Sequence, residues 1–490
     1  MVQAKPVIKT VEAFEHGETP WRSIWLSYIV QMLTGIQFSI YFTSMWPYLT
    51  TLDPNADLAF FGWITSAYSI GQMVSTWGFG YWNQKTMSAR HPACCGLFFM
   101  AIGNILYALL PNLPNNHRWF MLVARLLVGF GSGSLIVLRT YCAMSSLKKD
   151  RTKVMSLAVG SWVLGLSLGP AVQAMFAPIG KNGVKIAALQ LNMYTSPALL
   201  MVLISAISIL FLVLCFTETY AGVATNEHGE RGAFTVIPKY DHIAAYACIY
   251  LWFMLQTVAT NVEVIATPFT ISLYNWNDET AVFYNGIIQF FSCCINVINY
   301  ILISSTFIGR IDKRKLLIFS CSCFIAYHLL TSPWPFYGGP LDYIKMDENS
   351  TVEDTSISGG CFQRYEWCAY TTRVPLIVYI FSFIVILGFA FPFTSAPLGT
   401  LFSEILGPRK QGIMQGFFEF GACIARCVAP LVLTALFESS GYLWTTIMHL
   451  VLLVIGMTLL IVLYKRMIPL QVFPKIGVPT PYKSGIFYRL

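Results

Sequence analysis

The sequence predicts an all-α membrane protein in which twelve transmembrane helices form two six-helix pseudo-repeats. Three observations support this fold class. Hydrophobic residues make up 56% of the 490 residues and charged residues only 11%, with a mean hydropathy of +0.61, a balance far outside that of a soluble domain. Apolar stretches of about twenty residues, long enough to cross the hydrocarbon core, recur along the chain. A motif of small residues followed by proline occurs twice, six stretches apart.

The predicted spans begin after a polar N-terminal tail. This tail, residues 1–22, contains Glu12, Glu15 and Glu18 and no apolar core, which argues against a cleavable secretory signal, so the first span is expected to direct insertion. The spans are predicted at 23–48, 59–81, 93–110, 119–144, 153–176, 196–216, 242–270, 281–305, 316–336, 374–402, 411–437 and 442–464.

These spans group into two halves. The N-terminal six-helix bundle is predicted at 23–216 and the C-terminal six-helix bundle at 242–464, joined by a polar linker at 217–241. The C-terminal bundle includes a long loop at 337–373, and a polar tail follows at 465–490.

The distribution of lysine and arginine predicts the orientation. Basic residues are retained on the cytosolic side of a membrane, and most of them fall on one side of the predicted spans. The opposite side carries only Arg118, Lys181, Lys185, Lys345, Arg364 and Arg373. Both termini, the linker and the C-terminal tail are therefore expected in the cytosol. Topology accounts for the net charge of +8, and the scattered basic residues argue against a nucleic-acid partner.

The loop at 337–373 is predicted to face an oxidising lumen. It contains Cys361 and Cys368, which an oxidising compartment would allow to form a disulfide, and Asn349, which begins the sequon Asn-Ser-Thr. Either the loop protects the protein in a hostile lumen or it is an ordinary tether. The remaining cysteines lie within or beside spans, where cysteine acts as a small apolar residue, and match no metal-ligand spacing. No metal and no cofactor are predicted.

The repeated motif lies in the fifth and eleventh spans. "GLSLGP" places Gly165 and Gly169 before Pro170, and "ARCVAP" places Ala425 and Ala429 before Pro430. Small residues four apart allow close helix packing, and proline bends a helix where a neighbour can satisfy the freed carbonyl. Two parallel repeats with a site between them are the layout of major facilitator transporters.

Short motifs resemble that superfamily. "GYWNQKTMSAR", after the second span, is similar to its glycine-to-basic gate loop, with Gly80, Lys85 and Arg90 in place and Gln84 where an aspartate is usual. "ARLLVGFGSG" in the fourth span and "GLSLGP" in the fifth resemble its arginine-glycine and fifth-helix motifs. The resemblance implies the major facilitator architecture, with a central cavity lined by spans one, four, seven and ten.

Longer strings resemble the family of major facilitator superfamily domain-containing protein 8, the neuronal ceroid lipofuscinosis type 7 family of lysosomal transporters. The strings include "WPYLTTLDPNADLAFFGWITSAYSIGQM", "PFTISLYNWNDETAVFYNGII" and "ILGPRKQG", and the likeness runs from about residue 20 to 470. It implies a late endosomal or lysosomal membrane protein with a chloride conductance. Glu419 departs from the family pattern, and the first twenty residues lack the family's acidic-dileucine sorting signal.

Five ionisable residues lie well inside spans and are candidates for transport. They are Arg125 and Arg139 in the fourth span, Glu263 in the seventh, and Glu419 and Arg426 in the eleventh. A charge at bilayer depth costs at least about 2.5 kcal/mol, so a role inside a bundle is the default. At about 100° per residue, Arg125 and Arg139 fall within roughly 40° of one face, and Glu419 and Arg426 within about 20°.

Each charge has an alternative interpretation. Arg139 either faces the cavity or reaches the cytosolic interface, and Arg125 either binds a ligand or pairs with a helix-end carbonyl. Glu263 is a candidate proton site or gate, or forms a fixed ion pair. Glu419 and Arg426 lie roughly 10 Å apart along one helix, so the expectation is that each has another partner or faces water. Arg426, which replaces Leu166 of the first repeat, is predicted to attract anions into the cavity or to form a structural ion pair.

The first span offers a polar face that could line a wet path. Its members, within about 140° of one another, are Gln31, Thr34, Gln37, Tyr41 and Ser44. The alternative is that they bond to neighbouring helices.

The favoured function is transport of small anions between the two bundles, with a lipid bilayer and a small anion or small-molecule substrate as partners and a monomeric state. The alternatives are a proton-coupled carrier of an organic solute that uses Glu263, and a transport-dead receptor or scaffold. An enzyme is not predicted, because no Ser-His-Asp set, zinc spacing or nucleotide loop occurs. His328 and His449 sit alone in apolar helices and are expected to be hydrogen-bonded core residues.

Overall fold

A computed structural model gives the fold of most of the chain. It describes residues 18–41, 44–53, 58–113, 116–147, 149–180, 183–186, 189–221, 238–344, 359–363, 365–471, 479–482 and 485–487. Outside the described residues lie most of the N-terminal tail, the middle of the linker, part of the C-terminal tail, and the loop residues Lys181, Lys345, Asn349 and Arg364.

The N-terminal half consists of helices at each of the first six predicted spans. In span order they are Trp21–Ser39 with Met45–Leu52, Leu58–Thr86, Arg90–Ala108, His117–Ser132 with Leu135–Ser145, Arg151–Ala174 and Thr195–Leu214. A short antiparallel hairpin, Val184–Ile186 with Leu189–Leu191, precedes the sixth span.

The C-terminal half repeats this plan. In span order its helices are His242–Tyr274, Asp278–Ser305, Lys313–Leu330, Leu376–Phe381 continuing into Leu387–Leu406, Gly412–Ser440 and Tyr442–Val462. A π-helical segment, Ser382–Ile386, joins the two parts of the tenth span. A second antiparallel pair of strands joins Gly338–Pro340 to Thr372–Arg373 across the long loop, and a short hairpin pairs Thr480–Tyr482 with Gly485–Phe487.

The predicted fold class is confirmed. Every predicted span is helical, and within the described residues nine helices are long and apolar enough to cross a membrane. The predicted spans that fall short of that criterion are the first, second and ninth. The first is divided into two helices and carries polar side chains such as Gln31 and Gln37.

Close packing of the fifth span explains its glycines. A Cβ on Gly165 would overlap the carbonyl oxygen of Met32 and come within 3.0 Å of the Cα of Gly35, and one on Gly169 would overlap Ser39. These glycines therefore let the fifth span approach the first at backbone distance. In the eleventh span Ala425 and Ala429 are buried; Pro430 lies in the same helix, and its side chain is outside the described part.

The loop between the ninth and tenth spans packs on the C-terminal half. Cys361 and Cys368 form a disulfide. Trp367 is 1% exposed, stacks on Tyr365 and contacts Phe437 edge to face. Gly441, at the turn before the twelfth span, has φ +66°, and a Cβ there would lie 2.6 Å from the Trp367 ring. Glycine is needed here for both the left-handed backbone and the close approach.

Each half has its own apolar core, and a smaller cluster joins the two. The main clusters draw their residues either from the N-terminal half or from the C-terminal half. The joining cluster combines Val159 and Val163 of the fifth span with Tyr300 and Ile303 of the eighth and Phe393 of the tenth. The boundary between the halves is therefore a packed contact along these spans, and it positions the site described next.

Candidate functional site

The halves meet closely at the end that the sequence predicts to be cytosolic. The second span touches the eleventh at backbone distance: a Cβ on Gly80 would lie 2.7 Å from the Gly412 carbonyl oxygen. One turn further on, the backbone N–H of Ile413 donates to Gln84 Oε1 at 2.8 Å. Gly80 and Gln84 of the predicted gate loop therefore contact the other half.

The two basic residues of the gate loop lie apart from this contact. Lys85 is exposed. Arg90 donates from Nη2 to the carbonyl oxygen of Phe216, and its backbone N–H donates to Glu218 Oε1 at 2.6 Å. Arg90 thus ties the start of the third span to the end of the sixth, within one half.

Replacing Gly80 with alanine is expected to lower the free energy of unfolding by about 1–2 kcal/mol, because the added methyl group overpacks the contact with Gly412. The measurement is the melting temperature of the purified protein in nanodiscs. Gly78→Ala on the same helix is the matched control, since a Cβ there meets no atom within 4 Å. Equal melting temperatures for the two variants would show that the contact does not constrain the halves.

A cluster of three charges lies at the boundary between the halves. Arg139 of the fourth span donates from Nη1 to Glu419 Oε2 at 3.1 Å, and Arg426 donates from Nη2 to Glu419 Oε1 at 2.9 Å. The indole N–H of Trp252 in the seventh span donates to Glu419 Oε2 at 3.3 Å. Arg139 is 9% exposed and Glu419 4%. We call Arg139, Glu419 and Arg426 the charge cluster; its formal charge is +1.

One alternative for Arg139 and one inference about the helix pair are wrong, whereas the expectation that Glu419 and Arg426 each have another partner is confirmed. Arg139 does not extend to the cytosolic interface, because its guanidinium pairs with a carboxylate of the other half. Glu419 and Arg426 bond directly, although their Cα atoms are about 10 Å apart along the helix axis. Helical side chains lean toward the helix N-terminus, so Arg426 reaches back toward Glu419, and the two extended side chains close the gap.

Arg426 also binds amide oxygens from both halves. Its Nη2 donates to Gln72 Oε1 of the second span and its Nη1 to Gln256 Oε1 of the seventh, each at 3.1 Å. Its Nη2 also lies 3.3 Å from Cys423 Sγ. Sequence reasoning missed both glutamines; the available signal was an amide side chain within an apolar span, which does not reveal its partner.

A small cavity adjoins the charge cluster. Its polar wall consists of the three charged side chains and Gln256, and its apolar wall is formed by Val159, Trp162, Trp252 and Phe391. Its volume is about 10 Å³, room for about one water-sized particle. The halves are therefore closed around the charges in this conformation. Arg139 also lies over the Trp162 ring, 5.4 Å from its centroid.

Arg125, the other arginine of the fourth span, lies away from this boundary. It is 2% exposed, and its guanidinium carbon is 5.2 Å and 5.0 Å from the ring centroids of Tyr41 and Tyr68. Its Nε and Nη1 have no hydrogen-bond partner within the described part of the chain. The alternative of a pairing with a helix-end carbonyl is therefore not observed for these two nitrogens.

The glutamines of the first span do not line the cavity between the halves. Gln37 donates from Nε2 to Ser205 Oγ at 2.9 Å and accepts from Asn104 Nδ2 at 3.3 Å, and Gln31 Nε2 lies 3.9 Å from Cys142 Sγ. Both glutamines are at most 1% exposed. Of the two interpretations of this face, contact with neighbouring helices is the one observed for these glutamines, and the contacts lie within the N-terminal half.

Three further ionisable residues, Glu263, His328 and His449, lie in the seventh, ninth and twelfth spans. Glu263 belongs to the helix His242–Tyr274, and its side chain is outside the described part. His328 and His449 do not sit alone, because their ring centroids are 4.8 Å apart at a second cavity, of about 40 Å³. Asn261 Nδ2 lies 2.8 Å from His449 Nε2. Among the described residues no group of three or more His, Cys, Asp or Glu side chains is placed to hold a metal.

Comparisons with known proteins agree on one family. A family model described as Major Facilitator Superfamily matches residues 27–344. Major facilitator superfamily domain-containing protein 8 of Xenopus laevis is 30% identical over 501 residues, which cover 96% of each chain. The major facilitator superfamily multidrug transporter mfsB of Aspergillus fumigatus is 27% identical over 179 residues, which cover 34% of this chain and 29% of that protein.

Solved structures share the fold. The human organic anion transporter MFSD10 (TETRAN) has a TM-score of 0.64 at 15% identity, over 90% of this chain and 100% of that one. The E. coli fucose:proton symporter FucP has a TM-score of 0.63 at 13% identity, over 90% of this chain and 98% of that one.

Proposed function

Since the chain belongs to the major facilitator superfamily and, within it, to the family of domain-containing protein 8, we propose that it transports small anions, chloride among them, across an endolysosomal membrane. Membrane transport follows from the family. The choice of anions rests on the charge cluster, because two guanidiniums face one carboxylate at the boundary between the halves. A site with an excess positive charge between low-dielectric walls concentrates anions.

The location of the charge cluster fits alternating access. Transporters of this architecture bind the substrate between two repeats, which then rock about the site. Arg139 comes from the N-terminal half, while Glu419 and Arg426 come from the C-terminal half. Rocking of one half against the other would therefore lengthen the Arg139–Glu419 contact and leave Arg139 without its carboxylate. A positively charged side chain freed in this way is suited to receive an anion.

The test is anion flux into proteoliposomes that contain purified protein. Arg139→Gln is expected to reduce chloride or nitrate flux at least tenfold, because the charge cluster then carries no net charge. Arg426→Gln is expected to act in the same direction. The matched control is Arg118→Gln, because Arg118 is a half-exposed residue in the first turn of the helix His117–Ser132, 3.8 Å from Asp53. Unchanged flux and anion selectivity in the Arg139 and Arg426 variants would reject the proposal.

A further inference from the structure

We propose that Glu419 occupies the anion-binding position between the halves as an internal anion, and that a proton on its carboxyl group exchanges it for the substrate anion. This inference rests on the proposed function and specifies how the same site is regulated. It predicts that one proton moves with each monovalent anion.

The contacts of Glu419 are those of a bound anion. Its two carboxylate oxygens accept hydrogen bonds from two guanidiniums, one on each half of the protein, and from the indole N–H of Trp252. Charge-assisted hydrogen bonds from planar guanidinium groups are the usual means by which proteins bind carboxylates and other oxyanions. A substrate anion in this position would therefore accept the same hydrogen bonds that the Glu419 carboxylate now accepts.

The small space around the charge cluster means that an anion can bind both arginines only by replacing the Glu419 carboxylate. The cavity beside Glu419 has a volume of about 10 Å³, room for about one water-sized particle. Arg426 Nη2 donates to Glu419 and Gln72, and its Nη1 to Gln256. Little room and few donors remain for an anion alongside the carboxylate. An anion that binds both arginines must occupy the position that the carboxylate now holds.

The charge of the cluster couples the exchange of the Glu419 carboxylate for an anion to the uptake of one proton. With Glu419 ionised, the cluster has a formal charge of +1. A neutral, displaced Glu419 and one bound monoanion also give +1, since the two guanidiniums remain charged. The O–H bond formed on Glu419 takes its proton from solvent, where one O–H bond of a hydronium ion is broken, and no other covalent bond of the protein changes. The anion and the proton therefore enter together, and the buried charge is unchanged throughout the exchange.

Glu419 is the group suited to accept this proton. Among the described residues, no other carboxylate lines the cavity. The second, fourth, fifth and seventh spans present Gln72, Arg139, Trp162, Trp252 and Gln256 to the cluster. The remaining titratable groups near the two arginines are Tyr68, Tyr300 and Cys423. None of these is an ordinary proton acceptor in an acidic lumen, because tyrosine and cysteine are already protonated there and arginine stays charged.

The experiment measures anion-dependent stabilisation of the purified protein in nanodiscs between pH 5 and 8. Chloride or nitrate replaces gluconate at constant ionic strength, and the shift in melting temperature reports binding to the folded state. Wild-type protein is expected to be stabilised more strongly as the pH falls. Glu419→Gln is expected to melt at a lower temperature in gluconate, to be rescued by the small anion, and to bind it at least tenfold more tightly at pH 7.5, with no dependence on pH.

Two comparisons keep the test decisive. Glu438→Gln, at an exposed position of the same helix, is the matched control and should keep the wild-type pH dependence. If Glu419→Gln does not fold, proton uptake during anion flux by the wild-type protein still decides the matter, with an expected ratio of one to one. Anion flux that requires Arg139 and carries no protons would overturn this inference and leave the proposed function intact. Absence of any Arg139-dependent flux would instead reject the proposed function.

Discussion

Replacement of Glu419 by leucine is expected to lower the free energy of unfolding by about 3–5 kcal/mol, the cost of leaving buried charges without a partner. Arg139 and Arg426 both bind this carboxylate, so its loss leaves two guanidiniums in like-charge contact at a boundary with almost no room for water. Denaturant or thermal unfolding in nanodiscs, with gluconate as the only anion, would measure the loss.

Removing the two arginines together with Glu419 should restore the stability that Glu419→Leu loses. In the triple variant Glu419→Leu, Arg139→Met and Arg426→Met, apolar side chains of similar volume replace all three charges. Such replacements of buried ion clusters are often neutral or stabilising, so the triple variant is expected to be at least as stable as the wild type and to carry no anion flux. A triple variant that is as unstable as Glu419→Leu alone would show that apolar packing at this position, and not charge pairing, determines the stability.

Arg125→Met is expected to raise the free energy of unfolding by about 1–4 kcal/mol. This change has the opposite sign to that of Glu419→Leu. Arg125 is 2% exposed, and among the described residues no carboxylate forms an ion pair with its guanidinium, which lies against tyrosine rings. Its contacts with two tyrosine rings are worth about 0.5–2 kcal/mol each, less than the cost of desolvating an unpaired charge. The same unfolding measurement applies, with half-exposed Arg118→Met as the control.

The result for Arg125 also separates stability from transport. Unchanged anion flux in a stabilised Arg125→Met variant would place this arginine outside the transport path. A destabilised variant would mean that the guanidinium has stronger interactions in the folded protein than ring contacts alone.

The sequence predicted the helices well because each depends on local composition. All twelve predicted spans are helical, and the glycines of the fifth span do lie at a close helix contact. The partners of the charges were harder to infer. A helical wheel placed Glu419 and Arg426 on one face but gave no weight to the reach of two long side chains, and it contained no information about Arg139 on another helix.

The polar residues of the first span show the same limit. Their common face indicated contact with something polar, and both a water-filled path and neighbouring helices satisfied that pattern. The structure places Gln37 against Ser205 and Asn104, so the face is turned into its own bundle. The pairing of His328 with His449 was likewise hidden, because the two lie on helices that are far apart in sequence.

The amino-acid sequence by itself determined which segments form long apolar helices and which of them carry charges, and it predicted their division into two halves. These properties follow from the requirement that about twenty apolar residues cover the hydrocarbon core and satisfy their own backbone hydrogen bonds. Only the tertiary structure decided that Arg139 and Glu419, 280 positions apart in the chain, share a hydrogen bond. That contact depends on how two separately packed bundles meet, and helix periodicity within one bundle does not predict contacts with the other.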